Sequence, residues 1–328
     1  MQATDETSAK PGRDRPQRDC NNCGTRLTGP YCHRCGQPAR SFIRALPGLV
    51  GEIATETLYY DSRMWRTLQC LLFKPGWLSR EYVTGKRARY TPPVRLYLIS
   101  SIVAFLVITL VVNTAELSGV PDEAANEFTS GFADGSRGAV QFGSEPWHAE
   151  DNPVRIDWLG ARGNAWLNRQ IALIDGNARE AVRNPARFVR TAAGMLPQTM
   201  FVILPLFSAW VGVFYLFAQR YYIEHLLLQV HNHAFVFLSL VGLYLIALAR
   251  DLLGEAAFFG HASLSGLLYW IGVVIWLWIP FYVLISIRRF YRQGWALTLI
   301  KFLILIVSYF IMLLFALLAV IVLGVWRL

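Results

Sequence analysis

The sequence predicts an all-α polytopic membrane protein of about five transmembrane helices with a small zinc ribbon near its N-terminus. Three observations carry this expectation. Apolar runs close to the ~20 residues that a bilayer demands recur five times after Val94. Charged residues make up 16% of the 328, against ~25% in an ordinary soluble domain. Ahead of the first apolar run stand two CxxC pairs, each followed by a glycine.

Residues 1–18 (MQATDETSAKPGRDRPQR) have no apolar periodicity and are expected to be a disordered lead. They also lack the charged, apolar and cleavage regions of a secretory signal peptide. Residues 19–38 hold CNNCGTRLTGPYCHRCGQ, with Cys20, Cys23, Cys32 and Cys35 as the candidate ligands. Glycine after each pair (Gly24, Gly36) permits the turn that aims backbone N–H groups at thiolate sulfur. Thr28-Gly29-Pro30 turns the chain between the pairs, so both can reach one ion. Four thiolates in a tetrahedron suit zinc, with iron in a rubredoxin-like site as the minor alternative. Two CxxC pairs and one further cysteine, Cys70 in an apolar run, fit a reducing compartment better than a disulfide framework. His33 reads as a solvated residue between ligands. The nearby arginines raise nucleic acid as a partner, but Tyr31 is almost the only aromatic among them, and stacking surfaces need more. A solvated or lipid-facing role fits these cations better.

Residues 41–93 are amphipathic and basic, with a helix stop at Lys74-Pro75-Gly76. The stretch that follows, rich in Trp77, Tyr82, Arg80 and Arg87, reads equally well as a helix on the headgroups or as a soluble hairpin. The spans are expected at 94–112, 196–218, 226–249, 267–287 and 302–325. Between the first two lies the extracytoplasmic loop 113–195. Its first part is Gly-, Ser- and acid-rich, and its second, 156–190, has the spacing of an amphipathic helix resting on the bundle or of an independent hairpin. Lys and Arg favour a cytoplasmic N-terminus: of 31, that topology puts 21 inside and 10 outside, and Leu328 then lies outside.

Three blocks carry a family likeness: the ribbon at 20–37, LLFKPGWLSREYVTGKRARYTPPVRLYL at 71–98, and YYIEHLLLQVHNHAF at 221–235. The chain resembles the bacterial membrane proteins grouped as the domain-of-unknown-function family numbered 3667. Pro75, Gly76, Tyr82, Gly85, Lys86, Arg87, Tyr90 and Pro93 match in the second block, and Glu224, His225, His231, His233 and Phe235 in the third. The resemblance implies a bacterial inner-membrane protein with a cytoplasmic ribbon and adds little about activity.

The third block places polar groups in an apolar span, which is costly and marks a functional-site candidate. Glu224 and His231, seven residues apart, fall within about 20° on a helix. Arg220, Glu224, His225, His231 and Asn232 share that stripe, and His233 faces away. The stripe can hold helices together by hydrogen bonds, line a transport or proton path, or, more weakly, ligate a metal through Glu224, His225 and His231. Pro205 and Pro280 are placed to break two spans near the midplane, which favours transport. No nucleophile elbow, phosphate-binding loop, dinucleotide fingerprint or HExxH occurs, so soluble-type catalysis has no foothold. The expected role is a membrane-embedded regulatory or interaction protein whose ribbon docks a cytoplasmic protein partner. A transporter or channel is the alternative.

Overall fold

The computed structural model describes residues 19–39, 62–117, 141–142, 145–146, 152–183, 185–255 and 261–327. The lead 1–18, the first part of the juxtamembrane stretch (40–61) and most of the Gly- and Ser-rich loop lie outside them, as does His148. Among the described residues, eight α-helices follow the cysteine-bearing head: α1 Ser62–Phe73, α2 Trp77–Val83, α3 Pro93–Leu117, α4 Gly160–Arg183, α5 Pro185–Phe214, α6 Tyr222–Glu255, α7 His261–Tyr291 and α8 Trp295–Arg327. Among the described residues of the loop, Gln141–Phe142 pairs antiparallel with Glu145–Pro146. The chain is thus all-α, and α3 and α5 to α8 are long and apolar enough to cross a membrane.

Helix α6 is the hub, packed chiefly on α7 and α3 and also on α5, while α8 closes the bundle against α5 and α7. One buried cluster joins Val211, Tyr215, Leu228, Ile287, Phe290 and Leu305. A second joins Leu71 and Leu78 of the α1–α2 hairpin to Leu96, Phe235 and Tyr282 of the bundle. The outer surface is apolar, with Phe217 100% and Phe315 68% exposed. Such a face is a liability in water and the ordinary outer face of a helix bundle in lipid.

One expectation needs correction. Pro197 and Pro205 lie inside α5 and Pro280 inside α7, and both helices run through them. A membrane helix tolerates the lost N–H bond because neighbouring helices re-satisfy the backbone. The stretch after the helix stop is seated on the bundle. Leu78, Ser79, Glu81 and Tyr82 of α2 are buried, and α2 packs on both α6 and α7. Gly76 explains the fit: its φ is 67°, and a Cβ there would lie 2.6 Å from the Ser286 carbonyl oxygen of α7. Only glycine suits both the left-handed backbone and that approach. His261 opens α7.

At the far end, α4 lies against α8. The Trp326 Nε1–H donates to Gln170 Oε1 (3.1 Å), and Ile171 is buried. At the near end Lys301 of α8 donates to the Phe214 carbonyl at the end of α5 (2.8 Å), a cation where the helix dipole is negative.

Candidate metal centre and intramembrane polar cluster

The head is built twice from one local rule. In the first knuckle Cys20 N–H donates to Thr25 O (2.9 Å) and Gly24 N–H to Cys20 O (2.8 Å). In the second, Cys32 N–H donates to Gln37 O (2.9 Å) and Gly36 N–H to Cys32 O (2.8 Å). Gly24 and Gly36 share the same left-handed φ of 72°. Single bridges, Asp19 with Arg26 and Tyr31 with Pro38, frame the two turns.

The folded knuckles bring all four sulfurs within 4.8 Å of one another. Cys20 Sγ lies 3.6 Å from Cys35 Sγ, and Cys23 Sγ 3.5 Å from Cys32 Sγ. A tetrahedron of four ~2.3 Å metal–sulfur bonds has edges of about 3.8 Å, so the set fits a metal ion. All four cysteines are free thiols. Burial pushes the Cys20 thiol up to about 11, while the Thr25 hydroxyl, 3.3 Å from Cys23 Sγ, and the Thr25 backbone draw Cys23 down to about 6. A bound ion would neutralise the thiolates and fix the two turns against each other. Four cysteine ligands would leave no open position on a tetrahedral ion, the pattern of structural rather than catalytic sites.

The head does not hang free. Gln37 Nε2 donates to the Gly85 carbonyl (2.7 Å), and Gln37 Oε1 accepts from the N–H groups of Arg87 and Ala88 (3.2 Å each). Arg89 donates to the Asn22 carbonyl (3.1 Å). Gly85, at φ 93°, leaves room for Asn21, whose side chain would stand 2.8 Å from a Cβ there. His33 is exposed between the ligands.

The intramembrane stripe is dispersed rather than gathered into one pocket. Arg220 pairs with Glu224 (2.8 Å) at the first turn of α6, where a carboxylate suits the helix dipole. His225 Nδ1 shares a 2.5 Å hydrogen bond with the Tyr291 hydroxyl of α7, and Tyr291 stacks on Tyr215 at 3.5 Å between centroids. His231 Nδ1 shares a bond with Ser79 Oγ of α2 (2.9 Å). Asn232 Oδ1 accepts from the Ser286 hydroxyl of α7 (2.8 Å). His233, on the opposite face, meets the Tyr309 hydroxyl of α8 through Nε2 (2.9 Å). One helix thus reaches α2, α7 and α8 through separate polar contacts.

Among the described residues, the four cysteines form the grouping of His, Cys, Asp or Glu close enough to hold an ion. Glu224, His225 and His231 are not drawn together in that way, so they do not form the three-ligand metal site considered from sequence. The partners Ser79, Ser286, Tyr291 and Tyr309 carried no signal of their own. Gln37 was in view as the end of the second knuckle, but not as the residue that docks it.

Fold and site together define a helical protein with five membrane-capable helices and a four-cysteine head seated on its juxtamembrane hairpin. Residues 61–105 match the family described as "Protein of unknown function (DUF3667)", which supports the likeness drawn from the blocks above. The match spans α1, α2 and the start of α3, and neither the head nor the α6 cluster falls within it. No curated protein and no solved structure matches the chain.

Proposed function

We propose that this chain is a bacterial inner-membrane protein of regulatory or interaction type, with a zinc-bound head in the cytoplasm that presents a surface to a protein partner. The observation that carries this reading is the seating of the head: Gln37 clamps it to the 85–88 turn while 28–31, 33 and 34 stay exposed. A closed four-thiolate site has no position for substrate, which fits docking rather than chemistry. The excess of Lys and Arg before α3 supports the cytoplasmic placement. The test is in-cell crosslinking from a photoreactive residue at Tyr31, compared with the Cys20→Ser, Cys35→Ser double variant. A specific protein adduct that disappears with the metal is expected. Adducts only to this chain or to lipid would remove the partner from the proposal.

One observation keeps a transport reading as the second choice: His231 Nε2 and Asn232 Nδ2 are buried without hydrogen-bond partners. Buried polar atoms of that kind are costly and can await a ligand or a water. Ion flux through reconstituted protein should then fall in His231→Gln while the fold persists. Identical flux in vesicles with and without the protein ends this reading.

A further inference from the structure

A second concave site lies at the junction of the hairpin with the end of α7. A cavity of about 290 Å³ is lined by Arg80, Ile285, Arg288, Arg289, Arg292 and Gln293. Four of these six residues are arginines and none is acidic. Among the described residues no carboxylate pairs with any of the four, so their charge is not neutralised within the described chain.

The arginines are held in place rather than merely clustered. Arg289 donates to the Pro75 carbonyl (2.7 Å), which fixes one arm against the hairpin. Arg288 lies over the Trp295 ring, its Cζ 4.1 Å from the ring centroid. Its Nε is buried and has no hydrogen-bond partner. Gln293 Oε1 is in the same condition, and a half-turn of that amide would offer N–H donors instead. Arg292 ends α7 in a left-handed conformation, φ 54°, uncommon for a side chain other than glycine, asparagine or aspartate. An unpaired buried N–H is costly, and burying it beside three further guanidiniums is more so unless an anion completes the site.

We propose that this basin binds a phosphate group. Guanidinium forks match phosphate oxygens in pairs, and four of them suit a multiply charged oxyanion better than a single carboxylate. The volume sits at the lower edge of the ~300–1,000 Å³ usual for small-ligand sites, the scale of a headgroup rather than of a nucleotide. Trp295, whose ring lies under Arg288, is exposed, as aromatics at a membrane interface are. The phosphate can therefore belong to a lipid headgroup or arrive free from solution. The site stands apart from the thiolates and does not depend on which ion they hold.

The test uses the full chain in phosphatidylcholine nanodiscs. Phosphatidic acid, doped into the discs, is read as lipid adducts by native mass spectrometry, and inorganic phosphate and pyrophosphate are titrated by calorimetry. Arg80→Gln with Arg292→Asn is compared with Arg250→Gln, which alters an arginine lying over Tyr269 instead. Unchanged metal content and a single size-exclusion peak establish that each variant folds. If the pair does not fold, Arg292→Asn alone replaces it, since that residue is exposed and asparagine tolerates its backbone. The expected result is an affinity loss of at least tenfold in the basin variant and little change in Arg250→Gln. Loss for phosphatidic acid alone identifies a lipid ligand, and loss for the inorganic ions identifies a soluble one. Absence of binding by all three probes, or equal loss in both variants, overturns the proposal.

Discussion

The head and the bundle keep their shape by opposite means. Residues 19–39 bury little beyond Cys20, Cys32 and Asn22, so no apolar core exists to offset the entropy of ordering two turns. The head depends on its four thiolates and on docking. The bundle has apolar surface in abundance, but lipid is as apolar as leucine, and burial gives its helices little reason to choose one neighbour over another. Directional contacts decide there: His225 with Tyr291, His231 with Ser79, Asn232 with Ser286, His233 with Tyr309. A head of about twenty residues relies on four cysteines placed to hold an ion, and a bundle of more than two hundred on a handful of hydroxyls and imidazoles.

The most damaging way to break the comparison is to remove the ion. In Cys20→Ser with Cys35→Ser, metal analysis should fall from about one ion per chain to none. Limited proteolysis should then cut within 19–39 while the helical circular dichroism of the membrane domain is kept. Equal protease resistance with and without metal would show that docking alone holds the head.

Next in size is Gly76→Ala. The new methyl meets the Ser286 backbone and sits at positive φ, so a cost of about 2–4 kcal/mol is expected. It should appear as a lower midpoint in detergent thermal melts, with metal content unchanged. A melt within error of wild type would mean that α2 is not wedged against α7.

Ser79→Ala should cost about 1–3 kcal/mol, because it leaves His231 with neither ring nitrogen paired. A Ser79→Ala, His231→Leu double variant should recover part of this loss, since two apolar groups leave nothing unsatisfied. Additive losses in that cycle would show that the two side chains do not interact.

The smallest effect is expected from Gln37→Ala, which removes three contacts with the 85–88 turn and should weaken docking by about 1–2 kcal/mol. Hydrogen exchange should rise at Gly85, Arg87 and Ala88, with metal content and membrane-domain melting both intact. This variant separates the two regions most cleanly, because it loosens their joint and leaves each one's own means of support untouched.

Much of the head was legible because its rule is local: cysteine, two residues, cysteine, glycine, written twice. The five long helices were legible because length and apolarity are properties of a segment alone. The pairing of Arg220 with Glu224 also follows from helical spacing. The rest of the α6 stripe was legible only as a list of polar residues. What each one meets depends on residues far away in the chain, 152 positions for Ser79 and His231 and 66 for His225 and Tyr291. A serine in a basic hairpin looks like any other serine until the fold places it. The prolines misled for a related reason. Their effect on a helix is set by what surrounds the freed carbonyl, which sequence does not display. The arginine basin was invisible because Arg80 and Arg288 belong to segments that sequence treats as unrelated.

The hairpin has one further consequence. Tyr282 donates its hydroxyl to the Leu71 carbonyl, Arg289 holds the Pro75 carbonyl, and Ser79 holds His231. These fastenings flank a glycine pressed against the backbone of α7, so the piece between Leu71 and Ser79 has no slack with which to release them one at a time. It behaves as a key in a lock, fully home or fully withdrawn. Amides across 71–83 should accordingly exchange together, at a single rate, whatever the turnover of the helices around them.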